Sequence, residues 1–153
     1  MARQSTRGSG KTVRLPLTRD MLLPLPTARV QALSLENHLA LTTVRAHRGG
    51  PDQIYCLIRI VYLAYFMRGE TVAGADEGPY RQAEAALDAC MKRMEQGGRC
   101  MLLEEEQAAM ERVLLLHDQQ LAATSKVRFL KAWEQMQHFA ASEKLSPIPS
   151  TEA

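Results

Sequence analysis

Aromatic residues are scarce in this chain, at 5% of 153 positions, so its interior must be built from Leu, Ala, Met, Ile and Val, a palette that suits helices. Cysteine is scarcer still. Cys56, Cys90 and Cys100 are odd in number and include no CxxC pair, which argues against a disulfide framework. The four histidines, His38, His47, His117 and His138, have no second His or Cys three or four residues away, so no helix-borne metal site is expected. No apolar run reaches the roughly 20 residues of a spanning helix, and no signal-type h-region opens the chain. The sequence therefore predicts a cytoplasmic protein that makes no use of the membrane.

Catalytic signatures are missing as well. Gly8-Ser9-Gly10-Lys11-Thr12 looks like the end of a phosphate-binding loop, but Ser5 stands where the first glycine belongs, and neither a strand before it nor a long helix after it is available. The same segment is no nucleophile elbow, because Arg7 and Lys11 occupy its flanks. His117 and Asp118 are neighbours in a helical pattern and point apart, so they form no dyad. The reading is of a non-catalytic protein without a cofactor.

What is present is one very apolar segment. Thirteen of the fourteen residues from Ile54 to Met67 are apolar and only Arg59 interrupts, so this helix has no polar face and has to be covered on most sides. A first helix is predicted from Thr27, as N-cap, to about His47, with Val30, Leu33, Leu41 and Val44 in register and a left-handed stop at Gly49-Gly50. Asn37 falls on that stripe and is expected to fix packing through a hydrogen bond. Residues 69–78 read as a mobile acidic loop, and a third helix starts at Pro79 and stops at Gly97-Gly98. From Leu103 to about Ala141 neither glycine nor proline occurs. A break at Thr124-Ser125 would leave Lys126 and Arg128 against the positive end of a new helix, so one long C-terminal helix of about 57 Å is expected. The predicted fold is all-α: a four-helix bundle with a buried central helix over 54–67 and a long C-terminal helix, comprising a flexible basic arm over 1–26, a helical domain over 27–141 and a disordered tail over 142–153.

Three groups of residues stand out as candidate contacts. Arg3, Arg7, Lys11, Arg14 and Arg19 give residues 1–19 a charge of +5 with no acid, which leaves 14 basic against 17 acidic residues after them; such an arm can grip the phosphates of nucleic acid without reading sequence. Leu23 and Leu25, between prolines, are expected to lie across their own domain. Tyr55, Arg59, Tyr62 and Phe66 are spaced by 4, 3 and 4 and share an edge of the central helix, where an arginine between aromatic rings could meet an anion or a partner. Val127, Leu130, Trp133, Met136 and Phe139 form a stripe towards the end of the long helix, and a second copy of the chain is the simplest cover for it. His117 lies on the preceding stripe and reads as a core or interface residue.

The layout from Leu35 to Arg48 and Gly49, the apolar second helix, Tyr80 in the third, and Leu114-Leu115-Leu116-His117-Asp118-Gln119-Gln120-Leu121 together resemble a group of small helical proteins of Gram-negative bacteria and their mobile elements, some of them labelled Fis-type regulators. The resemblance covers residues 30–137. It implies an all-helical fold and a bacterial or mobile-element origin, and it transfers no residue-level site. A Fis-type regulator would carry a C-terminal helix-turn-helix with a basic reading helix, which this C-terminus lacks. The expected function is accessory or regulatory, acting through an unknown protein partner and self-association as a homo-oligomer; the alternative is a nucleic-acid-associated protein working through the basic arm.

Overall fold

The computed structural model describes residues 16–151, which are helical with no strand. Six α-helices run in the order α1 (Arg19–Leu22), α2 (Thr27–Arg45), α3 (Pro51–Phe66), α4 (Gly78–Glu95), α5 (Glu104–Ala123) and α6 (Lys126–Ala140). The apolar run forms α3, and it packs against α2, α4, α5 and α6. Its burial is not all-round: Ile54, Leu57, Ile60, Val61, Leu63, Ala64 and Tyr65 are buried, while Tyr55, Cys56 and Arg59 face outward. Two cores result. One joins α2 to α5 around Leu57, Val61, Tyr80, Leu87 and Leu114, and the other lies between α3 and α6 around Leu63, Met67, Leu121, Phe129 and Met136.

The expected long C-terminal helix is two helices. Thr124 and Ser125 are extended, with ψ of 151° and 160°, and the Ser125 hydroxyl accepts from the Arg128 amide at 3.3 Å as an N-cap. The two cations that argued against this break are both answered by carboxylates from elsewhere. Lys126 Nζ meets Asp20 at 2.8 Å and Arg128 meets Glu70 at 3.4 Å, so their repulsion by the helix dipole is offset. The arm completes the corner. Lys126 donates its amide to the Leu23 carbonyl at 2.9 Å, Pro24 bridges to Ser125, and Leu25 is buried in the second core. Leu25 lies across its own domain as expected, whereas the Leu23 side chain is 50% exposed, and residues 19–22, expected to belong to a flexible arm, form the short helix α1.

Other turns also depart from the expectation. At the end of α2 the left-handed residue is His47, with φ 56°, and the Arg48 amide closes onto the Thr43 carbonyl at 3.1 Å. Gly49 serves a different need, since a Cβ there would come within 2.8 Å of Val44 Cγ2. Thr27 makes no side-chain cap, because the cap position falls on Pro26. The segment read as a mobile loop is tied down by two 3-10 turns, Arg68–Glu70 and Ala73–Ala75, and its Gly74 carbonyl accepts from the buried Tyr80 hydroxyl at 2.7 Å. Gly97, with φ 86°, ends α4 as predicted. The residues after α6, expected to be disordered, return along α3 and α4: Ile148 is only 5% exposed in the first core, Ser146 donates to Glu84 at 2.6 Å, and Arg81 donates to the Pro149 carbonyl at 2.9 Å. No helix among the described residues is long and apolar enough to cross a membrane.

Candidate functional site

Of the basic arm, Arg3, Arg7, Lys11 and Arg14 lie outside the described residues, and Arg19 opens α1 with its side chain exposed. The edge on α3 is divided. Tyr55 is 55% exposed, whereas Tyr62 is half-buried, its ring edge-on to Phe139 at 5.4 Å and its hydroxyl donating to the Leu145 carbonyl at 3.3 Å. Burial first, and then the nearby Glu84 carboxylate, push the Tyr62 phenol well above its ordinary range. The ring that Arg59 meets is on α6. The Arg59 guanidinium stands 5.5 Å from the centroid of the Trp133 ring, a cation–π distance.

The α6 stripe is largely covered by α3 of the same chain. Met136 is buried, Trp133 is half-buried against Phe129 at 6.3 Å, and Phe139 meets Tyr62. Val127 is partly covered, and Leu130 alone of the five is exposed, at 42%. The physical reason is the Thr124-Ser125 corner, which turns the stripe back onto the domain where a continuous helix would have carried it away.

Between α2, α3, α5 and α6 lies a cavity of about 200 Å³. Its floor is apolar, from Ile60, Leu63, Leu121 and Met136, with Phe129 and Trp133 along the α6 wall and Leu33 and Asn37 along the α2 wall. Asn37 makes no side-chain hydrogen bond to a described residue, so it faces this space and does not pin the packing. At the exposed rim stand Glu36, Cys56 and Arg59. One further residue lines the cavity, the buried His117.

A chain of buried hydrogen bonds fixes that histidine. Tyr80 donates its hydroxyl proton to Gly74, so its oxygen can only accept from the Gln120 amide nitrogen, 3.0 Å away. The same nitrogen donates to the Ala64 carbonyl at 3.0 Å, and a carbonyl can only accept. Gln120 Oε1 must then face His117, at 3.0 Å from Nδ1, which makes Nδ1 the protonated nitrogen and leaves Nε2 with its lone pair. Burial drives the His117 pKa below its ordinary value, more than the Gln120 and Asp118 neighbours raise it, so the ring is neutral. Gly74 belongs to the same cluster, because a Cβ there would crowd Gln120 Nε2 at 3.0 Å and the Tyr80 hydroxyl at 3.1 Å.

No protein-family model matches the chain, and neither does any curated protein or solved structure. The site therefore has to be interpreted from its own chemistry. Among the described residues no group of three or more His, Cys, Asp or Glu is placed to hold a metal ion.

One surface was not visible as a contact in the periodicity. Ala28, Ala32, Leu35 and Leu39 are spaced by 4, 3 and 4 and are all exposed, with Leu35 at 60% and Leu39 at 53%. This places an apolar stripe on the side of α2 opposite Leu41 and Val44, which enter the core. The inner stripe alone accounts for the helix's place in the fold. On the α5 side, His38 Nε2 meets Asp118 at 2.8 Å and Arg45 meets Glu111 at 2.6 Å. These two pairs leave the outer stripe with no partner among the described residues.

Proposed function

We propose that this protein is a non-catalytic accessory or regulatory protein that works through protein–protein contacts, and that it self-associates through the outer face of α2. In this reading α2 to α5 are the four-helix bundle and α6 is a strap across it. The observation that carries the proposal is the doubly apolar α2. Fold packing explains Leu41 and Val44, and it leaves Leu35 and Leu39 in water.

A second copy fits the face by shape. In an antiparallel pairing about a twofold axis, Ala28 and Ala32 of one helix come opposite the leucine half of the other, so small residues meet large ones twice. At 19 residues α2 is about 28 Å long, and a strip about 10 Å wide gives on the order of 300 Å² per copy, well below the ~800 Å² of a standard interface. The dimer is accordingly weak and concentration-dependent, as suits a regulated contact.

Sedimentation velocity of the full chain over a concentration series tests this reading. The expected result is a rising mean mass with concentration, abolished by Leu39→Glu and unaffected by Leu130→Glu on α6, with both variants keeping parental helicity. A constant monomer mass, or equal loss in both variants, overturns the α2 assignment. Duplex DNA binding is measured alongside it. If the five arm charges engage phosphates, log K falls against log salt with a slope of about −4.5 that is lost when the arm is removed, and that outcome would favour the nucleic-acid function instead.

A further inference from the structure

The cavity between α2, α3, α5 and α6 carries an inference that is independent of the α2 face. We propose that it is a binding site for a small, neutral aromatic molecule bearing one hydrogen-bond donor, of the phenol or indole class, with that donor bonded to His117 Nε2.

Four observations converge on this ligand chemistry. The volume of about 200 Å³ is somewhat above that of an apolar cavity of ~150 Å³ known to admit benzene, so one ring with a small substituent fits. The floor and the α6 wall are apolar and aromatic, which favours a flat hydrocarbon body. His117 is 1% exposed, and its Nε2 makes no hydrogen bond to a described residue. The Tyr80–Gln120 chain holds Nδ1 as the donor, so the free nitrogen is an acceptor and selects a ligand O–H or N–H. At the rim, Glu36 and Arg59 stand with opposite charges, and a ligand of either sign would meet its like charge on entry. A neutral molecule avoids that conflict.

The histidine also matches this task electrostatically. Burial disfavours its charged form, so the ring remains an acceptor at neutral pH. Trp133, the only tryptophan in the chain, lines the same space and reports on its occupancy.

The test compares para-cresol with toluene, which has the same ring and methyl group but no donor, on the full chain by calorimetry, with Trp133 fluorescence as the local readout. The expected result is saturable binding of para-cresol, about tenfold tighter than toluene, as one well-formed buried hydrogen bond would give. The preference should shrink to about twofold or less in His117→Leu. Should that variant fail to fold, Leu33→Phe, at a half-buried wall position, is expected to weaken both ligands together by narrowing the cavity. Equal affinity for the two molecules overturns the role of His117. Failure of para-cresol to bind shows that the cavity is no site for this ligand class, and binding unchanged in Leu33→Phe places the ligand elsewhere; both results refute the proposal.

Discussion

Replacing Gln120 with Leu removes the centre of the buried hydrogen-bond chain while nearly keeping its volume, and the structure sets what that should cost. Three bonds are lost, to Ala64, Tyr80 and His117. They are not equivalent. The Ala64 carbonyl keeps the Met67 amide at 3.1 Å, and Tyr80 keeps its bond to Gly74 at 2.7 Å, so each loses only a second partner. His117 Nδ1–H is left with none. Stranding a buried donor costs about 1–3 kcal/mol, the two partial losses add about 0.5 kcal/mol each by the same scale, and the new apolar side chain recovers about 1 kcal/mol of burial. The net expectation is a destabilisation of about 2 kcal/mol, or a fall in Tm of roughly 4–8 °C for a chain of this size. Urea and thermal unfolding followed by circular dichroism read this directly. The decisive comparison is the double variant Gln120→Leu with His117→Phe, which removes the stranded donor and should be about 1 kcal/mol more stable than Gln120→Leu alone. A double variant that loses the sum of its two single losses would refute the reasoning, because it would show that packing, and not the unpaired N–H, sets the cost.

Stability should also respond to pH through His117. Its folded pKa is depressed by burial, so the unfolded chain takes up the proton first. The contribution is full above about pH 6.5 and is lost as pH falls through the lower folded value; His117→Leu should flatten that part of a urea-midpoint profile. At more acid pH the same sign applies to Glu106. Hydrogen bonding to Arg93 holds its carboxyl below the usual range, so the pair stabilises above about pH 4.5 and fades as the carboxylate is protonated. Glu106→Gln, which also weakens the carboxylate's contact with the Leu103 amide at 2.9 Å, should lower stability at pH 7 by about 1 kcal/mol and remove that acid limb. Ser125→Ala deletes the α6 cap and should destabilise the chain by about 1 kcal/mol, seen as a lower urea midpoint with unchanged secondary structure at low denaturant.

Local signals made the helical class, the α3 run and the Gly97 stop legible in the sequence, because each depends on residues within one or two turns. The α5–α6 corner was not legible for a corresponding reason. Its unfavourable cations are neutralised by Asp20 and Glu70, which lie 106 and 58 residues away from Lys126 and Arg128, and no local pattern can show that. His117 was recognisable as a core residue, but its role depends on Gln120, Tyr80, Ala64 and Gly74, four positions brought together only by the packing of α3, α4 and α5 with the loop before α4. The tail misled because Pro147 and Pro149 suggest disorder, while burial of the single Ile148 between them anchors the segment. The outer stripe of α2 was present in the spacing of Ala28, Ala32, Leu35 and Leu39. It became a candidate contact only once Leu41 and Val44 were seen to occupy the opposite face.

The hydrogen bond from Lys126 to Leu23 has a bearing on how the protein is made. It joins positions about a hundred residues apart, so the leading segment emerges from the ribosome long before the corner it closes exists. The helices between can assemble as they are synthesised, but the joint at Thr124-Ser125 must wait for its early-made half, and closing so large a loop carries an entropic cost that grows only slowly with length. That ordering makes residues 20–25 a clasp fastened near the end of folding. A chain begun at Thr27 should still build α2 to α5 while the start of α6 frays, which amide exchange at Lys126 and Val127 would reveal.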